Sequence, residues 1–261
     1  MRPYLVQHGE ALPEEGSGNG GTAVRPFHSA LLGLMLFLSV VAGSSSAGAG
    51  AAGDVLSDVP ETVDPARRHL FYIHGAWIEQ HGLEHPHPRH GRYEYQDIVR
   101  ALARCGFVVI SEARKGDTDG EAYAEKLETQ VRLLLERGVP PSHITVIGHS
   151  KGGGIALIAA SAMQEKELNF VIMAGCGKRG SGFGRSFEGF LEERAARLRG
   201  RLLSIYDASD RVAGSCREAF EKAALAESAE LVLHTGRGHA LFWSPRAVWV
   251  DEVVEWAEPK P

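Results

Sequence analysis

Ile144-Thr145-Val146-Ile147-Gly148-His149-Ser150-Lys151-Gly152-Gly153-Gly154 is the stretch whose reading decides the fold. Residues 144–147 include three β-branched aliphatics and read as a strand buried on both faces. Gly148-His149-Ser150-Lys151-Gly152 then matches G-x-S-x-G, and Ile155-Ala156-Leu157-Ile158-Ala159-Ala160 continues as a helix of small and apolar residues. Strand, glycine-bounded serine and helix together describe a nucleophile elbow. Such a turn is sharp, so a side chain at Gly148 or Gly152 would strike the crossing strand and helix. It leaves the serine hydroxyl exposed at a helix N-terminus, where backbone N–H groups favour developing negative charge. A tight strand-to-helix turn with an incidental serine is the other reading of the motif.

Around this stretch the chain alternates strand and helix. Apolar strands are expected at Leu70–Ile73, Phe107–Ser111, Ile144–Ile147, Phe170–Met173, Leu202–Tyr206 and Leu231–His234. Helices are expected at Tyr93–Cys105, Gly120–Arg137, after Ser150, and at Phe187–Leu198, Cys216–Leu225 and Arg246–Ala257. Residues 54–68 read as a polar lead-in, and Trp77–Arg92 as a long loop rich in Gly, Pro and His. Continuously apolar strands separated by helices imply an α/β fold, a mostly parallel sheet of about six strands with helices on both faces. The 261 residues, 44% of them hydrophobic, are enough for one sizeable core, expected over residues 54–261. A net charge of -5 gives no basic face for nucleic acid.

Residues 1–53 read differently. Arg25, the apolar run from Ala30 to Ala42 and a Gly/Ser/Ala tract to Gly53 have the parts of a secretory signal peptide, with a cut near Ala47 to Ala52. A buried hydrophobic helix is the alternative. The run is too short to span a bilayer comfortably, so export to the periplasm or medium is expected, without a stable membrane anchor. Met1-Arg2-Pro3-Tyr4-Leu5-Val6-Gln7-His8-Gly9-Glu10-Ala11 resembles the start of the histidine phosphatase superfamily, with Gln7 in place of the usual arginine. That resemblance stops after about the first 15 residues. It reads as an upstream extension or a remnant, with translation starting near Val24.

Chemistry in a parallel sheet sits at the C-terminal ends of its strands. Those ends carry His74-Gly75-Ala76, Glu112 and Arg114, Ser150, Cys176, Asp207 and Asp210, and His239. The elbow, the strand pattern and the chain order Ser…Asp…His resemble the α/β-hydrolase superfamily over residues 69–257. The resemblance implies a serine hydrolase: Ser150 attacks, His239 in Thr235-Gly236-Arg237-Gly238-His239 is the base, and an acid past Tyr206 orients it. Asp210 fits the family's placement shortly before a valine, which leaves Asp207 to shape the turn; the opposite assignment stays open. The Lys151 N–H and that of Ala76 (or Trp77), after the family's His-Gly pair, are the expected oxyanion donors.

The substrate pocket is assigned His74, Gly75, Trp77, Glu112, Arg114 and His149, with His74 expected to brace its loop. Glu112 and Arg114 are expected either to form an ion pair shaping the pocket or to meet substrate directly. His81, His85, His87 and His90 are irregularly spaced and lack a carboxylate or cysteine framework, so they read as pocket wall rather than a zinc site. Cys176 and Cys216 both fall on loops at the catalytic edge, and in an exported chain a bridge between them would tie those loops together. Gly175–Gly200 holds one helix, too little for a large lid, so the site should be open, with Trp77–Arg92 covering it. The expectation is an esterase acting on a small or medium acyl substrate without metal or organic cofactor. A peptidase or amidase using the same residues, or a non-catalytic binding protein of this fold, are the alternatives.

Overall fold

The computed structural model describes residues 53–259, so the signal-like segment and the phosphatase-like stretch lie outside it. Seven strands build one sheet: β1 (Val55–Leu56), β2 (His69–Ile73), β3 (Val108–Ile110), β4 (Ile144–His149), β5 (Asn169–Met173), β7 (Arg201–Asp207) and β9 (Ser228–Leu233). Two further short strands, β6 (Cys176–Gly177) and β8 (Ala213–Gly214), pair antiparallel beside it. The main sheet runs β1-β3-β2-β4-β5-β7-β9, and every pairing in it is parallel. Among the described residues seven helices accompany the strands: α1 (Ala76–His81), α2 (Tyr95–Arg104), α3 (Gly120–Glu136), α4 (Lys151–Ala162), α5 (Gly182–Glu193), α6 (Arg217–Ala223) and α7 (Ala247–Trp256).

Successive strand side chains point to opposite faces, so an apolar strand feeds two cores. Phe71, Ile73, Val146, Phe170 and Ile172 enter one, with Leu127, Val131 and Leu134 of α3 and residues of α4, α5 and α6. Leu70, Tyr72, Ile147, Val171 and Met173 enter the other, against Ile98, Val99 and Leu102 of α2 and Trp249, Val250 and Val253 of α7. Each such side chain contributes roughly 1.5–3 kcal/mol on burial.

The expected α/β architecture is found, with three local differences. The lead-in contains β1, whose two residues pair with Val109 and Ile110 at the sheet edge. It is too short to carry a periodic signal. Part of the expected loop after Ile73 is the six-residue helix α1, which has no side-chain cap at its start. The fifth helix begins at Gly182 rather than Phe187, because Ser181 caps it by accepting the Gly184 N–H at 2.9 Å. It ends at Glu193, before a 3-10 turn over Ala195–Arg197. Phe190 and Leu191 pack this segment into the core, and it forms no large lid.

Strand order reverses beside β2. The connection after β2 runs through α2 on one face, whereas that after β4 enters α4 on the other. The diverging loops leave a crevice at the C-terminal ends of these neighbouring strands, where ligands of open α/β sheets bind. The elbow sits in it. Ser150 has φ 56° and ψ −121°, a conformation L-residues rarely adopt. A Cβ on Gly152 would lie 2.1 Å from the Ile73 carbonyl oxygen, and one on Gly148 would lie 2.2 Å from that of Gly152.

The structure joins Cys176 to Cys216 and leaves Cys105 free. With the bridged positions 40 residues apart, chain entropy gives a stabilisation of about 4 kcal/mol. Cys176→Ser with Cys216→Ser should therefore lower unfolding free energy in urea by about 2–4 kcal/mol. Gly152→Ala should cost still more, since backbone must move, and should yield little folded protein by circular dichroism.

Candidate active site

Three loops deliver side chains to the crevice. Ser150 directly follows β4, Asp210 lies three residues past β7, and His239 lies in a 3-10 turn, Gly238–Trp243, beyond β9. His239 Nε2 is 2.8 Å from Ser150 Oγ, and His239 Nδ1 is 2.8 Å from Asp210 Oδ2. Asp210 is buried, and its other oxygen accepts the Val212 and Ala213 N–H groups at 2.7 and 3.1 Å. Burial opposes its ionisation, but the bond to His239, that ring's charge and the two amides hold its pKa below the ordinary value. An ionised Asp210 keeps the proton on Nδ1, leaving Nε2 free to take the serine proton.

Asp207 meets no histidine. Its Oδ1 accepts from the Ser209 N–H at 2.9 Å and from the Ser209 hydroxyl at 2.5 Å. Its Oδ2 accepts the Thr235 N–H and hydroxyl at 2.9 and 2.6 Å. One carboxylate thus joins the acid loop to the base loop. Burial raises its pKa, but the four hydrogen bonds overcome that and bring it down to about 2.

Ala76 and Lys151 are the first residues of α1 and α4, so their N–H groups have no carbonyl one turn back within the helix. The approach of the two loops is close: a Cβ on Gly75 would lie 3.1 Å from His149 Nδ1 and 3.3 Å from the Ser150 Cβ. Their side chains are tied as well. Glu79 in α1 takes Lys151 Nζ on Oε2 at 2.5 Å and Arg114 Nε on Oε1 at 2.6 Å. Lys151 also donates to the Thr118 carbonyl at 2.6 Å. Glu79 and Arg114 are almost wholly buried, a pairing whose disruption strands a charge in the interior.

His149 is buried between the serine and base loops. Tyr72 Oη lies 2.8 Å from Tyr93 Oη, which lies 3.1 Å from His149 Nδ1, and His149 Nε2 lies 3.1 Å from the His239 carbonyl oxygen. A carbonyl only accepts, so Nε2 carries the proton and donates to it, and Nδ1 accepts from Tyr93. The Gly75 N–H donates to the same Tyr93 oxygen at 3.4 Å. Burial keeps the His149 pKa well below its usual value, so the ring stays neutral, and pushes the Tyr93 hydroxyl up to about 12.

A cleft of about 450 Å³ opens over Ser150. Gly75, Trp77 and His149 line it, as do Ala76, His239 and Trp243. His87 and His90 reach it from the Trp77–Arg92 segment. His81 stacks on Trp77 with ring centroids 3.8 Å apart, and His85 lies 5.4 Å beyond.

Three residues assigned to the pocket lie elsewhere. His74 is beneath it: Nδ1 donates to the Gly75 carbonyl at 2.8 Å, and Nε2 accepts the Arg114 N–H at 2.8 Å. Burial, then the charges of Arg114 and Lys151, lowers its pKa to about 3, so it stays neutral and braces the loop. Arg114 points into the interior toward Glu79 and not to Glu112. Glu112 pairs outward with Lys126 at 2.5 Å. Their strand end is the right one, but both side chains leave the crevice for other partners. Glu79 and Tyr93 escaped sequence reading because their partners are far away in the chain. The only local signal was the placement of Glu79 three residues after Ala76.

Comparison with known proteins fits this architecture. A family model described as lipase (class 3) matches residues 53–180, from the sheet edge through the elbow. The structure superposes on the monoacylglycerol lipase of Paleococcus ferrophilus with a TM-score of 0.52 at 14% identity, covering 72% of this chain and 93% of that one. The chain has the α/β-hydrolase fold. An acetyl-hydrolase of Streptomyces hygroscopicus is 30% identical over 111 residues, 40% of this chain and 34% of the relative, so the chain spans about a third of that protein. The family match ends before Asp210 and His239. Their assignment rests on the distances above.

The depressed pKa of Asp207 has a consequence for stability. A carboxylate at about 2 in the folded chain against about 3.9 unfolded contributes about 2.6 kcal/mol above pH 5, lost as pH falls from about 5 to 1. Asp207→Asn should lower unfolding free energy by at least that amount at pH 7 and flatten the acid limb, measured by urea denaturation from pH 7 to 2.

Proposed function

We propose that this chain is a serine esterase acting on small or medium acyl groups through an acyl-enzyme. The carrying observation is the hydrogen-bonded chain Ser150–His239–Asp210 beside the N–H groups of Ala76 and Lys151. In this reading His239 Nε2 takes the hydroxyl proton as Ser150 Oγ attacks the acyl carbon. The Ala76 and Lys151 amides receive the oxyanion, worth several kcal/mol in such sites. The alcohol leaves with the proton from His239. A water, deprotonated by the same ring, then releases the acid and restores the serine.

The open cleft, without a large lid, supports substrates of modest size over long buried acyl chains. The name of the acetyl-hydrolase relative points the same way, toward short acyl groups. Export through the N-terminal segment is part of the same proposal, and the Cys176–Cys216 bridge supports it, since such bridges persist in oxidising compartments.

The test is a panel of 4-nitrophenyl esters from acetate to decanoate with matched anilides, run on the wild type and four variants. Short esters should turn over fastest. Ser150→Ala and His239→Ala should lose several orders of magnitude in kcat, and Asp210→Asn on the order of 10⁴-fold. Asp207→Asn should lose far less. Faster anilide than ester turnover would replace the reading by an amidase, and equal losses for the two aspartates would overturn the choice of acid.

A further inference from the structure

Beside the cleft, and sharing His90, Ala240 and Trp243 with it, lies a second pocket of about 520 Å³. Its lining is unlike the rest of the molecule. The chain carries more acids than bases, 33 against 28, yet Arg89, Arg92, Arg237 and Arg246 border this pocket with Glu94 as the one carboxylate. Arg92 is paired with Glu84. Among the described residues Arg89, Arg237 and Arg246 form no ion pair, so three arginines border one cavity without a carboxylate partner.

The second observation is independent of charge. Among the described residues Arg246 Nε and Trp243 Nε1 are buried donors with no hydrogen-bond acceptor, and both residues line this pocket. Trp243 is itself 7% exposed. Buried N–H groups are nearly always satisfied, so two orphan donors on side chains that line one cavity point to an acceptor that the described residues do not supply. Guanidinium forks and an indole N–H only donate. What satisfies them is a compact oxyanion, which arginine binds through paired N–H bonds.

Position supplies the link to chemistry. Arg237 is two residues before His239 and Ala240 directly follows it, so the pocket begins at the loop that carries the base. We propose that this pocket is an anion subsite, and that the preferred substrates are esters bearing a carboxylate, phosphate or sulfate away from the scissile bond. The proposal rests on the esterase reading for its catalytic consequence. The binding of the anion does not.

Two measurements test it on the full chain. In the first, kcat/KM is compared for mono-4-nitrophenyl glutarate against 4-nitrophenyl glutaramate, and for 4-acetoxybenzoate against 4-acetoxybenzamide. The first pair places the charge on the acyl side, the second on the alcohol side. One charged ester should exceed its neutral partner by tenfold or more, chiefly through KM. In Arg237→Gln/Arg246→Gln that ratio should fall to about one, and added inorganic phosphate should raise KM for the charged ester alone. In the second, tryptophan fluorescence is titrated with inorganic phosphate and with glutarate at low ionic strength. A saturable change in wild type, absent from the double variant, is expected. Saturation by phosphate with no charged-ester preference would mean a site for a free anion and would overturn the substrate assignment. Absence of saturable binding together with equal turnover of charged and neutral esters would overturn the whole proposal. A chain that binds phosphate in this way but hydrolyses none of the esters would keep the anion site and sink the esterase reading instead.

Discussion

Everything at the active end of the sheet depends on one close approach of backbone to backbone. The helix after Ser150 leaves the strand so sharply that Gly152 lies against the carbonyl of Ile73, where an added Cβ would fall 2.1 Å from the oxygen. That contact sets the first turn of α4 against the end of β2, and with it the serine against the loop Gly75–Ala76. Ser150 holds a positive φ because packing on both sides leaves no alternative. The strain is local, and the two buried faces of the sheet stabilise it.

Around the elbow the loops are held by polar bonds rather than by apolar packing. Glu79 connects the two helix starts through Lys151 and anchors them on Arg114. Tyr93 and His149 run from the Gly75 amide to the His239 carbonyl, so the serine and base loops share one hydrogen-bonded path. Asp207 joins the acid and base loops, and the Cys176–Cys216 bridge closes the acid loop from its far side. Loops bring mobility, and chemistry needs distances kept within a few tenths of an ångström. Here each loop is tied at more than one point, and most of the ties are buried and shielded from water.

Much of this was legible in the sequence because much of it is local. The elbow needs glycine at two fixed offsets from a serine and an apolar strand before it, and all of that lies within eleven residues. The strand ends could be read from apolar runs, and the structure brings Asp210 and His239 to the same crevice as Ser150. Legibility ended where a side chain's partner is distant. Glu112 and Arg114 follow the same strand, yet one turns out to Lys126 and the other inward to Glu79, a choice only the packed structure makes. Tyr93 is one aromatic residue among many until His149, 56 positions later, is brought to it. β1 and α1 escaped because two and six residues are too few for a period to show.

In the proposed reading Ser150 is an activated nucleophile, its hydroxyl made reactive by His239 and Asp210. Labelling of the purified chain with a fluorophosphonate, followed by peptide mass spectrometry, addresses it without a choice of substrate. A single adduct on Ser150, lost in His239→Ala and absent from Ser150→Ala, is expected. A folded wild type that takes no label, or takes it at another residue, would contradict it.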